Sequence, residues 1–121
     1  MNYNQSFALD WQIKTGTSRR YQMIAQIVRF KSKMTDKEVQ KTYKDRSPRY
    51  RARPGLKQKY YLKFTETGEH GAVYIWESEK DLEKFQKSEL RRTIPTAYQV
   101  LGTANVQQAE VVMALRPDKE S

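Results

Sequence analysis

Apolar and polar residues alternate over some stretches of the chain and fall at three-to-four spacing over others, and this change of period divides it into elements. Residues 22–30, QMIAQIVRF, put Met23, Ala25 and Ile27 on one side and Ile24, Val28 and Phe30 on the other, with Gln26 among the second set. Apolar side chains on both sides mark a strand covered on both faces. Thr35 and Glu38 stand three apart as in a capping box, which predicts a helix carrying Val39, Tyr43, Arg46 and Tyr50 along one stripe. Pro48 lacks an amide donor, so the helix is expected to end or kink near Asp45–Ser47. In residues 56–64, LKQKYYLKF, the set Leu56, Gln58, Tyr60, Leu62 and Phe64 opposes Lys57, Lys59, Tyr61 and Lys63. A turn at 66–69 leads to GAVYIWE over 71–77, where Ala72, Tyr74 and Trp76 oppose Val73 and Ile75; the two segments form a hairpin.

Ser78 caps a second helix, whose first turn holds Glu79 and Asp81 and whose inner positions are Leu82, Phe85, Glu89/Leu90 and Ile94. Pro95 opens a new segment, TAYQVLG, read as a helical turn stopped by Gly102. The last strand is expected over 106–115, VQQAEVVMAL. Ahead of all this, Phe7, Leu9, Trp11 and Ile13 alternate with polar residues, so residues 1–20 form an extension with a possible extra edge strand. Residues 21–121 then make one domain.

The order β-α-β-β-α-β is that of a ferredoxin-like α+β fold, an antiparallel sheet with helices on one face. Apolar residues on both sides of three strands leave an open sheet face that a second subunit would cover, as in a dimeric α+β barrel. A homodimer is the expectation.

Composition narrows the chemistry. The 121 residues include no cysteine, which removes disulfides, thiol nucleophiles and thiolate metal sites and fits a cytoplasmic protein. One histidine, His70, leaves no multi-histidine metal site. No apolar run is long enough to span a membrane, and no basic start followed by an apolar stretch suggests a secretory signal. There is no Gly-rich phosphate loop and no dinucleotide fingerprint, so no tightly bound cofactor is expected. The net charge is +9, and residues 29–63 carry all of the excess, with 13 Lys/Arg against 3 Asp/Glu.

The stretch PGLKQKYYLKF, a short turn, then GAVYIWESEKDLEKF resembles the YdhR-like monooxygenase family of dimeric α+β barrels, akin to antibiotic-biosynthesis monooxygenases. Pro54, Gly55, Leu56, Lys59, Tyr61, Gly71, Tyr74, Trp76, Glu77 and Ser78 carry the likeness, which extends over roughly residues 22–116. It implies a dimer with a cavity between sheet and helices in each subunit and an oxygenase role. Related barrels include cofactor-free quinol oxidases, heme-degrading monooxygenases and simple binders. The heme-degrading branch uses an Asn on the first strand, a Trp in the second helix and a His further along it. Here the first strand offers Gln26, the Trp position looks like Phe85 and the His position falls near Pro95, so the axial ligand is missing.

The expected function is a small-molecule monooxygenase, or a related barrel enzyme, acting on an aromatic or quinol-like compound in a pocket between sheet and helices. The catalytic candidates are Tyr60, His70 and Gln26. His70, placed in the hairpin turn, is the one side chain that titrates near neutral pH, and is otherwise a solvated loop histidine. Tyr43, Tyr50, Trp76 and Phe85 are the ring-lined binding candidates, with Arg29 for an anionic group; each has plain core packing or surface pairing as its alternative. A non-catalytic binding or sensing protein of the same fold is the second reading. The third is nucleic-acid binding through the basic 46–63 region. RNA-binding RRM domains share the sheet geometry, but GAVYIWE lacks their Gly-aromatic motif, and a dimer would bury the face they use.

Overall fold

The Thr35 hydroxyl accepts the Glu38 amide at 3.2 Å, and the Glu38 carboxylate accepts the Thr35 amide at 2.9 Å. This reciprocal cap opens helix α1 (Asp36–Arg51) in the computed structural model, which describes residues 22–117. Strands β1 (Ile24–Ser32), β2 (Leu56–Phe64), β3 (Glu69–Trp76) and β4 (Val100–Glu110) form one antiparallel sheet in the order β2-β3-β1-β4. Helices α2 (Glu79–Gln86), α3 (Glu89–Arg92) and α4 (Ile94–Ala97) lie between β3 and β4 in the chain. This is the ferredoxin-like α+β fold that the element order predicts. The expected extension and edge strand of residues 1–20 lie outside the described residues.

Period-two side chains decide what the helices cover. Ile24, Gln26 and Phe30 of β1 are buried, as are Ala72, Tyr74 and Trp76 of β3. Ile24, Ala72, Tyr74 and Trp76 pack with Tyr50 of α1, Leu82 and Phe85 of α2 and Leu90 of α3. Phe30, Val39 and Tyr98 form a second cluster, and Val28 and Ile94 touch both. Trp76 is 0% exposed and Phe85 1%, so each of these large rings contributes about 1.5–3 kcal/mol by burial. The other face carries Ala25 and Ile27 of β1 opposite Ile75 and Val73 of β3, and Tyr60 of β2 opposite Val73.

Four expectations are corrected. Helix α1 runs through Pro48 to Arg51. The missing Pro48 amide would have met the Lys44 carbonyl, and the Ser47 hydroxyl donates to that carbonyl instead, at 3.1 Å. The second helix is split into α2 and α3, while α4 falls where a separate helical turn was expected near Pro95. The Ser88 hydroxyl donates to the Phe85 carbonyl at 2.5 Å and accepts the Arg91 amide at 3.2 Å, ending one helix and capping the next. The last strand begins at Val100, six residues before its expected start, and ends at Glu110. Gln99 (φ 47°) and Gly102 (φ 67°) take left-handed conformations there, Gly102 where the pairing of β1 with β4 shifts register. In β2 a second register shift between Leu56 and Gln58 sends Leu56 to the core, away from the set with which it alternates in sequence.

Candidate functional site

The residues beneath α1 form a box of tyrosines. Tyr43 and Tyr50 descend from α1, Lys59 and Tyr61 rise from β2, Tyr74 from β3, and Tyr98 closes the end beyond α4. They surround a cavity of about 30 Å³, room for one water molecule. Tyr43 and Tyr61 stack with ring centroids 4.2 Å apart and planes 12° from parallel. This pair walls the cavity from a groove of about 250 Å³ along Asp36, Lys63 and His70. On its other side Tyr61, with Tyr50 and Lys59, borders a groove of about 400 Å³ edged by Ser47, Arg51 and Gln58.

The electrostatics of the box are one-sided. Burial pushes the Tyr61 phenol up to about 12 and also raises Tyr74 and Tyr98 well above the ordinary phenol range, so all three keep their protons. The Tyr61 hydroxyl is buried without a hydrogen-bond partner among the described residues. Arg46, 8% exposed, donates to the Leu90 carbonyl at 2.7 Å and to the Thr93 hydroxyl at 3.3 Å, and its guanidinium stands 5.9 Å from the Tyr98 ring centroid. Its Nε has no partner, and among the described residues no carboxylate pairs with it. The Lys59 ammonium lies 3.2 Å from the Tyr50 ring centroid and 4.4 and 4.5 Å from those of Tyr61 and Tyr74. Burial first, then the positive charge of Arg46, lower Lys59 to about 6. The ring faces, which attract a cation, work in the opposite direction.

The structure gathers some of the sequence candidates and scatters others. Tyr43 and Tyr50 line the cavity. Trp76 and Phe85, 5.0 Å apart between ring centroids, are core beneath it: Trp76 stacks on Tyr74 at 6.0 Å and does not face the cavity. Gln26 is 2% exposed, its Oε1 without a partner among the described residues, and it lies outside the cavity lining. Tyr60 is misplaced by the sequence reading. It stands 56% exposed on the face away from the helices, because the register shift after Leu56 turns Lys59 and Tyr61 inward. Arg29 also leaves the pocket: its Nε donates to the Glu69 carboxylate at 2.8 Å, and its guanidinium lies 4.3 Å from the Phe64 ring centroid. That hydrogen bond, with a second from Thr67, holds the Glu69 carboxyl below its usual range.

His70 corrects the expectation of a loop residue. It is the second residue of β3, is 8% exposed, and its Nε2 meets the Asp36 carboxylate at 3.2 Å. Asp36 also accepts from Lys63 Nζ at 2.6 Å, and this bond is the main reason that its pKa is lowered. Buried Nδ1 has no partner among the described residues. Lys59, Tyr61, Arg46, Tyr74 and Tyr98 are not among the site candidates from sequence, although Lys59, Tyr61 and Tyr74 carry the family likeness and Arg46 lies on the helix stripe. The usable signal was the alternation that groups Lys59 with Tyr61, but alternation alone does not say which set faces the helices.

Among the described residues, no group of three or more His, Cys, Asp or Glu could hold a metal ion, and no helix is long and apolar enough to cross a membrane.

No protein-family model matches the chain, and no curated protein matches it. Solved structures do. A protein of unknown function from Nitrosomonas europaea superposes with a TM-score of 0.66 at 18% identity, covering 81% of this chain and 97% of that one. A candidate antibiotic biosynthesis monooxygenase from Caulobacter crescentus gives 0.66 at 17% identity, over 78% and 94%. A point mutant of SnoaB, a cofactor-independent oxygenase from Streptomyces nogalater, gives 0.64 at 14% identity, over 78% and 97%. At these identities the shared property is the fold, and the chain is similar to proteins of the antibiotic-biosynthesis-monooxygenase-like α+β fold.

Proposed function

We propose that this protein is a small-molecule monooxygenase, or a closely related barrel enzyme, acting without a tightly bound cofactor on an aromatic or quinol-like compound. The observation that carries the reading is the Tyr61 hydroxyl, buried in a tyrosine-lined cavity without a partner among the described residues, with a buried cation, Arg46, close enough to act on it and paired with no carboxylate among those residues. In such chemistry the substrate supplies the electrons. One oxygen atom enters the ring as a carbonyl, and the other leaves with two substrate hydrogens as water. The protein's task is to stabilise the substrate anion that reacts with oxygen and to keep water away. A protonated Tyr61 donates a hydrogen bond to that anion, and Arg46 supplies a positive field in a poorly screened interior. The cavity of about 30 Å³ admits a planar substrate only when the Tyr43–Tyr61 stack opens into the neighbouring groove. His70 and Asp36 border that groove, and in this reading they take up a proton from the entering compound.

The reading includes a homodimer packed through the open sheet face. Tyr60 is exposed there, and beyond β4 Val112, Met113 and Leu115 are 87%, 74% and 75% exposed, apolar surface that a second subunit would cover. Sedimentation of the full chain at micromolar concentration should give a dimer that Val73→Asp converts to monomer; a monomeric wild type ends that part of the reading.

The test of function is oxygen consumption over a panel of phenols and hydroquinones. Uptake by the wild type, reduced at least tenfold by Tyr61→Phe with little change in affinity, is the expected result. Binding that quenches tryptophan fluorescence with no uptake across the panel overturns the enzyme and favours a sensor of the same fold.

A further inference from the structure

Lys59 differs from Lys41 and Lys63 in what surrounds its amine. Lys41 and Lys63 are paired with Asp45 and Asp36 at the surface. Lys59 has neither a hydrogen bond nor an ion pair among the described residues; ring faces stand in their place. Facing it are Tyr43, Arg46 and Tyr50 from α1, Tyr61 from its own strand, Tyr74 from β3 and Tyr98 beyond α4, with no acid among them. The residue lines both the enclosed cavity and the open groove of about 400 Å³, so the amine stands where an aromatic interior meets solvent. Arg51 and Lys57 edge that groove.

We propose that Lys59 is a carbonyl-capturing amine, and that the groove beside it takes an aromatic aldehyde or ketone bearing an anionic substituent and holds it as an imine. The ring faces of Tyr50 and Tyr61 select an aromatic compound, and Arg51 and Lys57 select its negative charge. The amine nitrogen attacks the carbonyl carbon, forming the C–N bond while the C=O pair moves to oxygen. That oxygen takes both amine hydrogens in turn and leaves as water, giving a C=N bond with no oxidant or reductant required. The step needs the free base, which the burial of Lys59 supplies at neutral pH. An ordinary lysine is unprotonated in only roughly one molecule in 2,500 at pH 7.

This site shares the cavity of the oxygenase reading but does not depend on turnover, and one experiment separates the two. The full-length protein is treated briefly at pH 7 with 4-carboxybenzaldehyde and cyanoborohydride, and the reduced adducts are mapped by peptide mass spectrometry. Lys59 should be marked at least tenfold faster than any other lysine, and faster by 4-carboxybenzaldehyde than by benzaldehyde. Its rate should level off above about pH 7, while the rates at surface lysines climb towards pH 10. In Lys59→Arg the fast adduct should vanish and the slow ones persist. Equal marking of all lysines, or Lys59 among the slowest, overturns the proposal. Fast marking of Lys59 without oxygen uptake on the phenol panel leaves this site standing and removes the oxygenase; uptake with slow marking does the reverse.

Discussion

The two faces of the sheet use the same strands to opposite ends. On the helix face, the Lys59 amine and the Arg46 guanidinium are paired with no carboxylate among the described residues and stand against tyrosine rings in a poorly hydrated interior. On the other face, Arg29 is paired with Glu69, and the residues around it are apolar or, like Tyr60, open to solvent. Charge is therefore satisfied where the surface is accessible and left unsatisfied where it is enclosed. Unpaired buried charge costs stability, and such a cost persists most readily where it serves binding or chemistry.

The contrast can be broken most strongly at the core. Trp76→Ala should cost about 3–5 kcal/mol in urea unfolding, because it removes a ring that α2 packs against. The next effect has the opposite sign. Lys59→Met should raise stability at pH 7 by about 1–3 kcal/mol, since it replaces a desolvated amine with an apolar side chain of similar length. Lys59 lowered from 10.5 to about 6 binds its proton more readily in the unfolded chain, so wild-type stability should rise with pH between those values. Above pH 10 the raised phenols of Tyr61, Tyr74 and Tyr98 reverse the slope. Unfolding midpoints measured across that range should lose the rising limb in Lys59→Met; a rising limb unchanged by the substitution would place the titration elsewhere. Ser47→Ala should cost about 0.5–1.5 kcal/mol, the hydroxyl that serves the Lys44 carbonyl beside Pro48 being lost. Smallest of all, Tyr60→Ala should change the folding stability of the single chain by no more than about 0.5 kcal/mol, which fixes its place outside the core.

Much of the fold was legible because it is written in local signals. The Thr35–Glu38 box, the Pro54-Gly55 turn and the period-two strands each act within a few residues. The failures share one cause, a tertiary or side-chain substitute for a backbone rule. Pro48 reads as a helix end, and Ser47 cancels that effect. The run from Ser78 to Ile94 reads as one helix by its apolar spacing, but the Ser88 amide and hydroxyl both donate to the Phe85 carbonyl, closing a turn that ends the helix there. The site was half legible. Tyr43 and Tyr50 follow from the helix stripe. Tyr60 was preferred to Lys59 and Tyr61 because its set includes Leu62 and Phe64. The shift at Leu56–Gln58 and the pairing of Lys59 with Tyr74 reverse that choice.

Helix α1 is fastened at two points along its length. Asp36, in its first turn, is tied to Lys63 and His70 at the hairpin end of the sheet, and Arg46 is tied to Leu90. Ten residues separate these anchors, a span of about 15 Å. The helix thus behaves as a beam resting on two supports, with Tyr43 hanging beneath the span. A beam so held does not lift to admit a guest; the rings below it swing. Entry to the box is then set by side-chain rotation, and the amides of α1 should keep their protection from hydrogen exchange while a ligand comes and goes.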